Sequence, residues 1–258
     1  MVKQYKIIIR ENDPNESDEP DRSEEIERLN NLKILIIQVL NYEVESLAKV
    51  GLTKLKYIDV SENDIGSESA KSLALVLCQC PELTHLNLSN NNFGPEGSEQ
   101  FRKALTKLTK LSYFNISGNW IQKEGVSSIA RAIEHGLCGA LIHLNLSEND
   151  IRPEGAKILA GVLAKCTVLS ELKLCDNKIF SDGTESIAQA LPQCHKLSHF
   201  DFSGNWIGPE GATSLSRVLS QCTSLTNLQI NANNIGPEGE HSLREVQKQC
   251  KVLSNIVF

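Results

Sequence analysis

Residues 141–155 read Leu-Ile-His-Leu-Asn-Leu-Ser-Glu-Asn-Asp-Ile-Arg-Pro-Glu-Gly, and this stretch decides the fold because the chain repeats it. Its frame, Leu-x-x-(Leu/Ile/Phe)-x-(Leu/Val/Ile/Phe)-x-x-Asn-x-(Ile/Phe), opens at Leu55, Leu83, Leu111, Leu141, Leu169, Leu197 and Leu225 and begins again at Leu253. Successive frames lie 28 residues apart, except for 30 between Leu111 and Leu141. A unit of this size cannot bury its apolar face alone, so neighbouring units must stack into a solenoid.

Within each frame the apolar residues recur at period two, as in Leu144 and Leu146 or Leu172 and Leu174, which predicts a short strand with one buried face. The asparagine that follows (Asn63, Asn91, Asn119, Asn149, Asn177, Asn205, Asn233) reads as structural. Its amide both donates and accepts, and so suits backbone groups that a buried bend would orphan. Gly-Pro-Glu-Gly at 94–97, 208–211 and 236–239, and Arg-Pro-Glu-Gly at 152–155, start helices: proline is tolerated in the first turn and glutamate complements the dipole. The predicted helix from Gly155 to Ala164 puts Ala156, Leu159, Ala160 and Leu163 on one stripe. Strands stack at about 4.8 Å but helices need roughly 8–10 Å. Equal numbers of each force an α/β solenoid that curves, with parallel strands on the concave face and helices on the convex face.

The frame resembles the leucine-rich repeat, and its length with a helical second half is similar to the ribonuclease-inhibitor-like subclass, which includes the repeats of NOD-like receptors and of Ran GTPase-activating proteins. The resemblance spans about residues 29–258. It implies a horseshoe-shaped binding surface and leaves the partner open, since one fold serves many partners.

The unbroken repeat argues for one elongated domain over residues 53–258, preceded by an N-terminal part, residues 1–52, that departs from the frame. There Tyr5–Arg10 reads as a strand, Glu11–Pro20 as an acidic loop, Arg22–Asn30 as a polar helix, and Leu29 onward as an irregular first repeat. Net charge is −6, yet residues 11–27 alone hold nine carboxylates against Arg22. The repeat body is therefore nearly neutral, with no basic stripe, which argues against nucleic acid or an anionic membrane as partner. No apolar run reaches the ~18 residues of a membrane span, and no signal-peptide pattern opens the chain. A cytoplasmic protein is expected, or one acting in host cytosol if it is a secreted effector.

Cys80, Cys138, Cys166, Cys194, Cys222 and Cys250 each lie three residues before a frame leucine. A constant register predicts a buried ladder packed beneath the strands, not a metal site. Cys78 on a helix and Cys175 on the concave face fall outside it. Reduced thiols fit the cytosol.

The residue two after each frame leucine forms a column across the concave sheet: Tyr57, His85, Tyr113, His143, Glu171, His199 and Asn227. The next column, Asp59, Asn87, Asn115, Asn145, Lys173, Asp201 and Gln229, is polar and is expected to ring the first with hydrogen-bonding groups. The histidines stand two strands apart, about 9.6 Å, too far to share a zinc ion whose donors sit at about 2.1 Å. Trp120 and Trp206 share one frame position, in Ser-Gly-Asn-Trp-Ile, where other repeats carry Asp64, Asn92, Asp150, Lys178 and Asn234. They read either as solvent-facing anchors for a partner or as flat covers over Gly118 and Gly204.

No nucleophile, acid–base pair or metal cluster breaks the repeat, so neither catalysis nor a cofactor is expected. The recurring serines occupy one scaffold position, and Cys175 has only Lys173 as a neighbouring cation on its strand. The chain reads as a non-enzymatic module that binds a protein through Tyr57, His85, Tyr113, Trp120, His143, Glu171, His199 and Trp206, as a regulator, an adaptor or a bacterial effector. Two alternatives stand. The resemblance to Ran GTPase-activating proteins implies activation of a small GTPase, though no family-specific catalytic loop is matched and the acidic tail is missing. The strand Ser254–Phe258 offers an edge for self-association, with a monomer as the other outcome. The helix before it carries Glu240, Arg244 and Gln247 where a following helix would pack, so no further repeat is expected.

Overall fold

The computed structural model describes residues 8–10, 52–250 and 252–258. One sheet runs the length of the molecule in the order β1-β2-β3-β4-β5-β6-β7-β8-β9. Its strands are β1 (Ile8–Arg10), β2 (Tyr57–Asp59), β3 (His85–Asn87), β4 (Tyr113–Asn115), β5 (His143–Asn145), β6 (Glu171–Lys173), β7 (His199–Asp201), β8 (Asn227–Gln229) and β9 (Asn255–Val257). Strands β2 to β9 are parallel, each displaced by one repeat from the last, whereas β1 runs antiparallel against the free edge of β2, with Ile9 opposite Ile58. The expected strand at Tyr5–Arg10 is thus seen at its last three residues. The acidic loop, polar helix and irregular first repeat lie outside the described residues.

Helices α1 (Ser67–Leu77), α2 (Gly94–Leu105), α3 (Gln122–Ala132), α4 (Arg152–Leu163), α5 (Phe180–Ala190), α6 (Gly208–Leu219) and α7 (Gly236–Gln249) alternate with the strands and pack neighbour on neighbour. The sheet does not close, and the mismatch between strand and helix spacing bends it into a curved solenoid with the strands inside the curve. The core between the layers holds the frame leucines, with Leu83, Leu111, Leu141 and Leu169 at 0% exposure. Each such side chain contributes about 1.5–3 kcal/mol by leaving water. Phe93 and Phe101 meet edge-on there, with centroids 4.9 Å apart.

Helix α4 begins three residues before the expected Gly155, at Arg152, whose carbonyl-side neighbour is the proline of the motif. Gly183, in the second turn of α5, shows why this start keeps a glycine: a Cβ would stand 2.6 Å from Ile179 Cγ2 and 3.0 Å from the Pro153 backbone of the preceding helix. The helices approach through that missing methyl.

The asparagines form the ladder that their amide chemistry demands. Asn149 Nδ2 donates to the carbonyls of Leu146 and Ser147 in its own repeat and of Ile116 in the one before, at 3.0–3.1 Å. Its Oδ1 accepts the N–H groups of Asn119 and Ile121 from that same preceding repeat. Each bend from Asn63 to Asn205 is joined in this way to the asparagine of the next repeat. A second ladder runs through hydroxyls at the strand entrances, as where Ser112 Oγ donates to the Thr84 carbonyl at 3.1 Å.

The 30-residue spacing has a local cause. After α3 the chain enters a π-helical turn, Ile133–Leu137, in which the Cys138 N–H and Sγ–H both point to the Ile133 carbonyl five residues back, at 3.1 Å. The wider turn absorbs the two extra residues on the convex side, and β4 and β5 keep their register, Tyr113 opposite His143.

In the cysteine ladder Cys80, Cys166 and Cys194 are buried in the core, and Cys138, Cys222 and Cys250 are half-buried against it. The thiols of Cys80, Cys166, Cys194 and Cys222 donate to the carbonyls of Val76, Val162, Ala190 and Val218, four residues back. Three of these carbonyls, of Val76, Val162 and Val218, also accept a backbone N–H, so the thiols add a second donor at the helix ends. All eight cysteines are free thiols.

Candidate functional site

The expected concave column is real and continuous. Residues Tyr57, His85, Tyr113, His143, Glu171, His199 and Asn227 are direct partners across seven neighbouring strands. Four of them meet ring to ring: Tyr57 stacks on His85 at 5.8 Å and His85 on Tyr113 at 5.7 Å, while His143 lies tilted by 44° against Tyr113 at 6.1 Å. The strand spacing fixes these separations, since identical positions on adjacent parallel strands hold side chains face to face. His85 and His199 are further oriented by the hydroxyls beside them, Thr84 Oγ1 to Nδ1 at 2.9 Å and Ser198 Oγ to Nδ1 at 2.8 Å.

The column changes character at β6. Glu171 takes His143 Nδ1 on one oxygen and Lys173 Nζ on the other, both at 2.9 Å. Burial pushes the Glu171 carboxyl up, but the hydrogen bonds from Lys173 and His143 together outweigh it and hold the group below its ordinary value. Lys173 is raised in return, chiefly by its hydrogen bond to Glu171.

The second column is partly engaged within its own repeats. Asp59, Asn87, Asn115, Asn145 and Asp201 each turn one oxygen back onto the N–H of the serine two residues on, at 2.9–3.2 Å. A carboxylate or amide beside a chain bend is close enough to close a local turn with one oxygen, which leaves the second carboxylate oxygen or the amide NH2 outside that turn.

Where the strands leave the sheet, the loops form a rim with an unusual backbone. In five of the seven loops three alternate positions are left-handed, as in Glu148, Asp150 and Arg152 with φ of +57°, +52° and +61°. Trp120 (φ +54°) and Trp206 (φ +56°) occupy the middle one and are 62% and 56% exposed. A Cβ at Gly118 would meet Asn90 Oδ1, and one at Gly204 would meet Asp176 Oδ1, so both positions need glycine where the preceding repeat's side chain leans over them. The two indoles also differ. Trp206 meets Phe180 edge-on at 5.5 Å, whereas Trp120 stands at the wall of a groove of about 670 Å³. Glu62, Asp64, Glu148, Asp150 and Asp176 line that groove, with Lys178 as its cation.

Six stretches, residues 51–74, 79–99, 107–130, 141–160, 193–216 and 221–239, match the family model described as leucine-rich repeat. The chain belongs to the leucine-rich repeat family. No curated protein sequence matches this leucine-rich repeat chain. Similar solved structures include the actin-binding site 2 of leiomodin-1, at 18% identity over 60% of this chain and 87% of that one with a TM-score of 0.48. Another is a leucine-rich repeat protein of Leptospira interrogans, at 20% identity over 80% of this chain with a TM-score of 0.49. The chain spans about half, 49%, of that protein's length.

The leucine-rich repeat opening at Leu169 is the one the family model passes over, and it is where the frame's polar choices change. It supplies Glu171 and Lys173 to the column and Asp176 and Lys178 to the groove. Cys175, in the same repeat, has its thiol pushed up by burial, which makes it a poorer nucleophile than a free cysteine. Leucine-rich repeats are typically protein-interaction modules. Among the described residues no helix is long and apolar enough to cross a membrane. The groove itself escaped the sequence reading, although the acidic residues flanking the asparagines signalled it.

Beyond β9 the sheet edge is partly dressed by the last helix. Arg244, paired with Glu240, lies 4.4 Å over the Phe258 ring, and Gln247 Nε2 donates to the Ser254 carbonyl at 3.4 Å. The polar side chains of α7 thus have local partners. Val257 remains 39% exposed.

Proposed function

We propose that the chain is a non-enzymatic protein-interaction module that engages a protein partner across the concave column and the rim. The observation that carries this reading is the row of ring contacts on an open sheet, Tyr57, His85 and Tyr113 stacked and His143 tilted against them, continued by Glu171 and His199. Rings pre-ordered by their neighbours lose little freedom on binding and give large contact area, which is the property of interface anchors. Trp120 and Trp206 extend the same surface onto the rim. Eight free thiols fit a reducing compartment, so the partner belongs to the cytoplasm or to the host cytosol of a secreted effector.

The test is affinity capture from eukaryotic lysate with the native chain, Trp120→Ala/Trp206→Ala and His85→Ala/Tyr113→Ala, read by mass spectrometry. A partner held by the native chain and released by both double variants supports the reading. A partner retained by both variants removes this face as the binding site.

A further inference from the structure

We infer that the rim groove beside Trp120 seats an arginine side chain presented by an extended segment of the protein partner. The inference rests on the interaction reading above and names the partner's chemistry at one point of it.

The groove runs past the pre-asparagine positions of five successive repeats, Glu62, Asn90, Gly118, Glu148 and Asp176. At the frame position just before the asparagine, Gly118 contributes no side chain, and its neighbours there are Asn90 on one side and Glu148 and then Asp176 on the other. Asn90 Oδ1 leans over Gly118, and Trp120, 62% exposed, stands at the groove's wall. Charge then decides what suits it. Asp150 is already neutralised, by Arg152 at 2.8 Å and by Lys178, turned onto it at 2.9 Å. Glu148 and Asp176 are exposed and have no ion pair among the described residues. An aromatic wall next to two uncompensated carboxylates favours a cation that lies on the ring and reaches the acids at once. A planar guanidinium does both, stacking through its face and forking through its edge, while an ammonium is a point charge that serves one contact at a time.

The second tryptophan provides an internal contrast. Trp206 holds the same frame position, but its ring is engaged by Phe180, and the pre-asparagine positions on its far side are Gly204 and Ala232 in place of acids. It presents an apolar anchor, whereas Trp120 presents a cation seat.

The chain contains two tryptophans, so Trp206→Phe leaves Trp120 as the sole indole and its emission reports on the groove. The probe is the peptide acetyl-Gly-Gly-Arg-Gly-Gly-Arg-Gly-Gly-amide, compared with the same peptide carrying citrulline, the neutral isostere, and with spermidine. The expected result is a saturable change in emission with the arginine peptide, absent with citrulline. Affinity should weaken about tenfold or more when Glu148→Gln/Asp176→Asn is added, with unchanged circular dichroism. No response to the arginine peptide, equal binding of the citrulline peptide, equal binding by the carboxylate variant, or spermidine binding as tightly as the peptide would each overturn the assignment. If the lysate partner is still released by Trp120→Ala/Trp206→Ala while the groove ignores arginine, the interaction module stands and the cation seat falls.

Discussion

His143 and Glu171 face each other across adjacent strands with Nδ1 2.9 Å from Oε2, and this pair joins the aromatic part of the concave column to its charged part. Glu171 is held below its ordinary carboxyl range, so its contribution to stability is present above the unfolded value of about 4.5 and is lost as pH falls through the lower folded value. With its side chain 31% exposed, solvent screening keeps that contribution under about 1 kcal/mol. Glu171→Gln should therefore be slightly less stable than the native chain at neutral pH, and the difference should shrink as pH drops below about 4.5. Urea unfolding of both proteins across this range measures it; a difference independent of pH would refute the coupling.

Asn149→Ala removes three donated and two accepted hydrogen bonds that span two repeats. Buried backbone groups left without partners cost about 1–3 kcal/mol each, moderated by any water that enters. A loss of about 3 kcal/mol or more is expected in chemical denaturation. Asn149→Asp, which keeps the acceptor and deletes the donors, should not rescue it.

The two tryptophans should respond oppositely to removal. Asparagine occupies the same position as Asn234, with φ +53°, and tolerates left-handed backbone better than a bulky residue. Trp120→Asn gives up little buried surface and is expected to raise stability by a few tenths to about 1 kcal/mol. Trp206→Asn also forfeits the ring contact with Phe180, about 0.5–1.5 kcal/mol, and should be neutral or destabilising. Thermal melts of both variants decide the matter. A stabilised but binding-deficient Trp120→Asn would show that the indole is kept at a conformational cost.

Burial pushes the thiols of Cys80 and Cys222 up to about 12 and that of Cys194 up to about 11. The thiolate is the reactive form. Iodoacetamide at pH 7.5 should leave these cysteines unmodified in the folded chain and modify them in urea. Peptide mapping reads each site separately, and rapid labelling of Cys80 under native conditions would contradict the buried ladder.

The repeat, the strand register and the bend asparagines were legible because each is a periodic requirement, and a period survives in sequence even when single residues vary. The column from Tyr57 to Asn227 followed directly, since equal frame positions on parallel strands must become neighbours. What the sequence concealed was how individual groups are used. Asp59 and Asn87 look as available as any exposed polar pair until their oxygens are seen capping Ser61 and Ser89. Gly118 looks like a simple turn glycine until Asn90 Oδ1 is found leaning over it from the preceding repeat. The antiparallel pairing of Ile8–Arg10 with β2 joins residues far apart along the chain and has no periodic signature.

The π-helical turn at Ile133–Leu137 makes the tolerance of this architecture to length change one-sided. Two added residues pass without notice on the outer layer, because each helix can widen its last turn before the chain returns to the sheet. The same two residues inserted between a strand and its asparagine would carry that amide away from the repeat it completes, and with it the bends on either side. Length polymorphism, tags and grafted loops therefore belong at the helix ends, where the molecule behaves as an adjustable spacer wrapped around an inner track of fixed gauge.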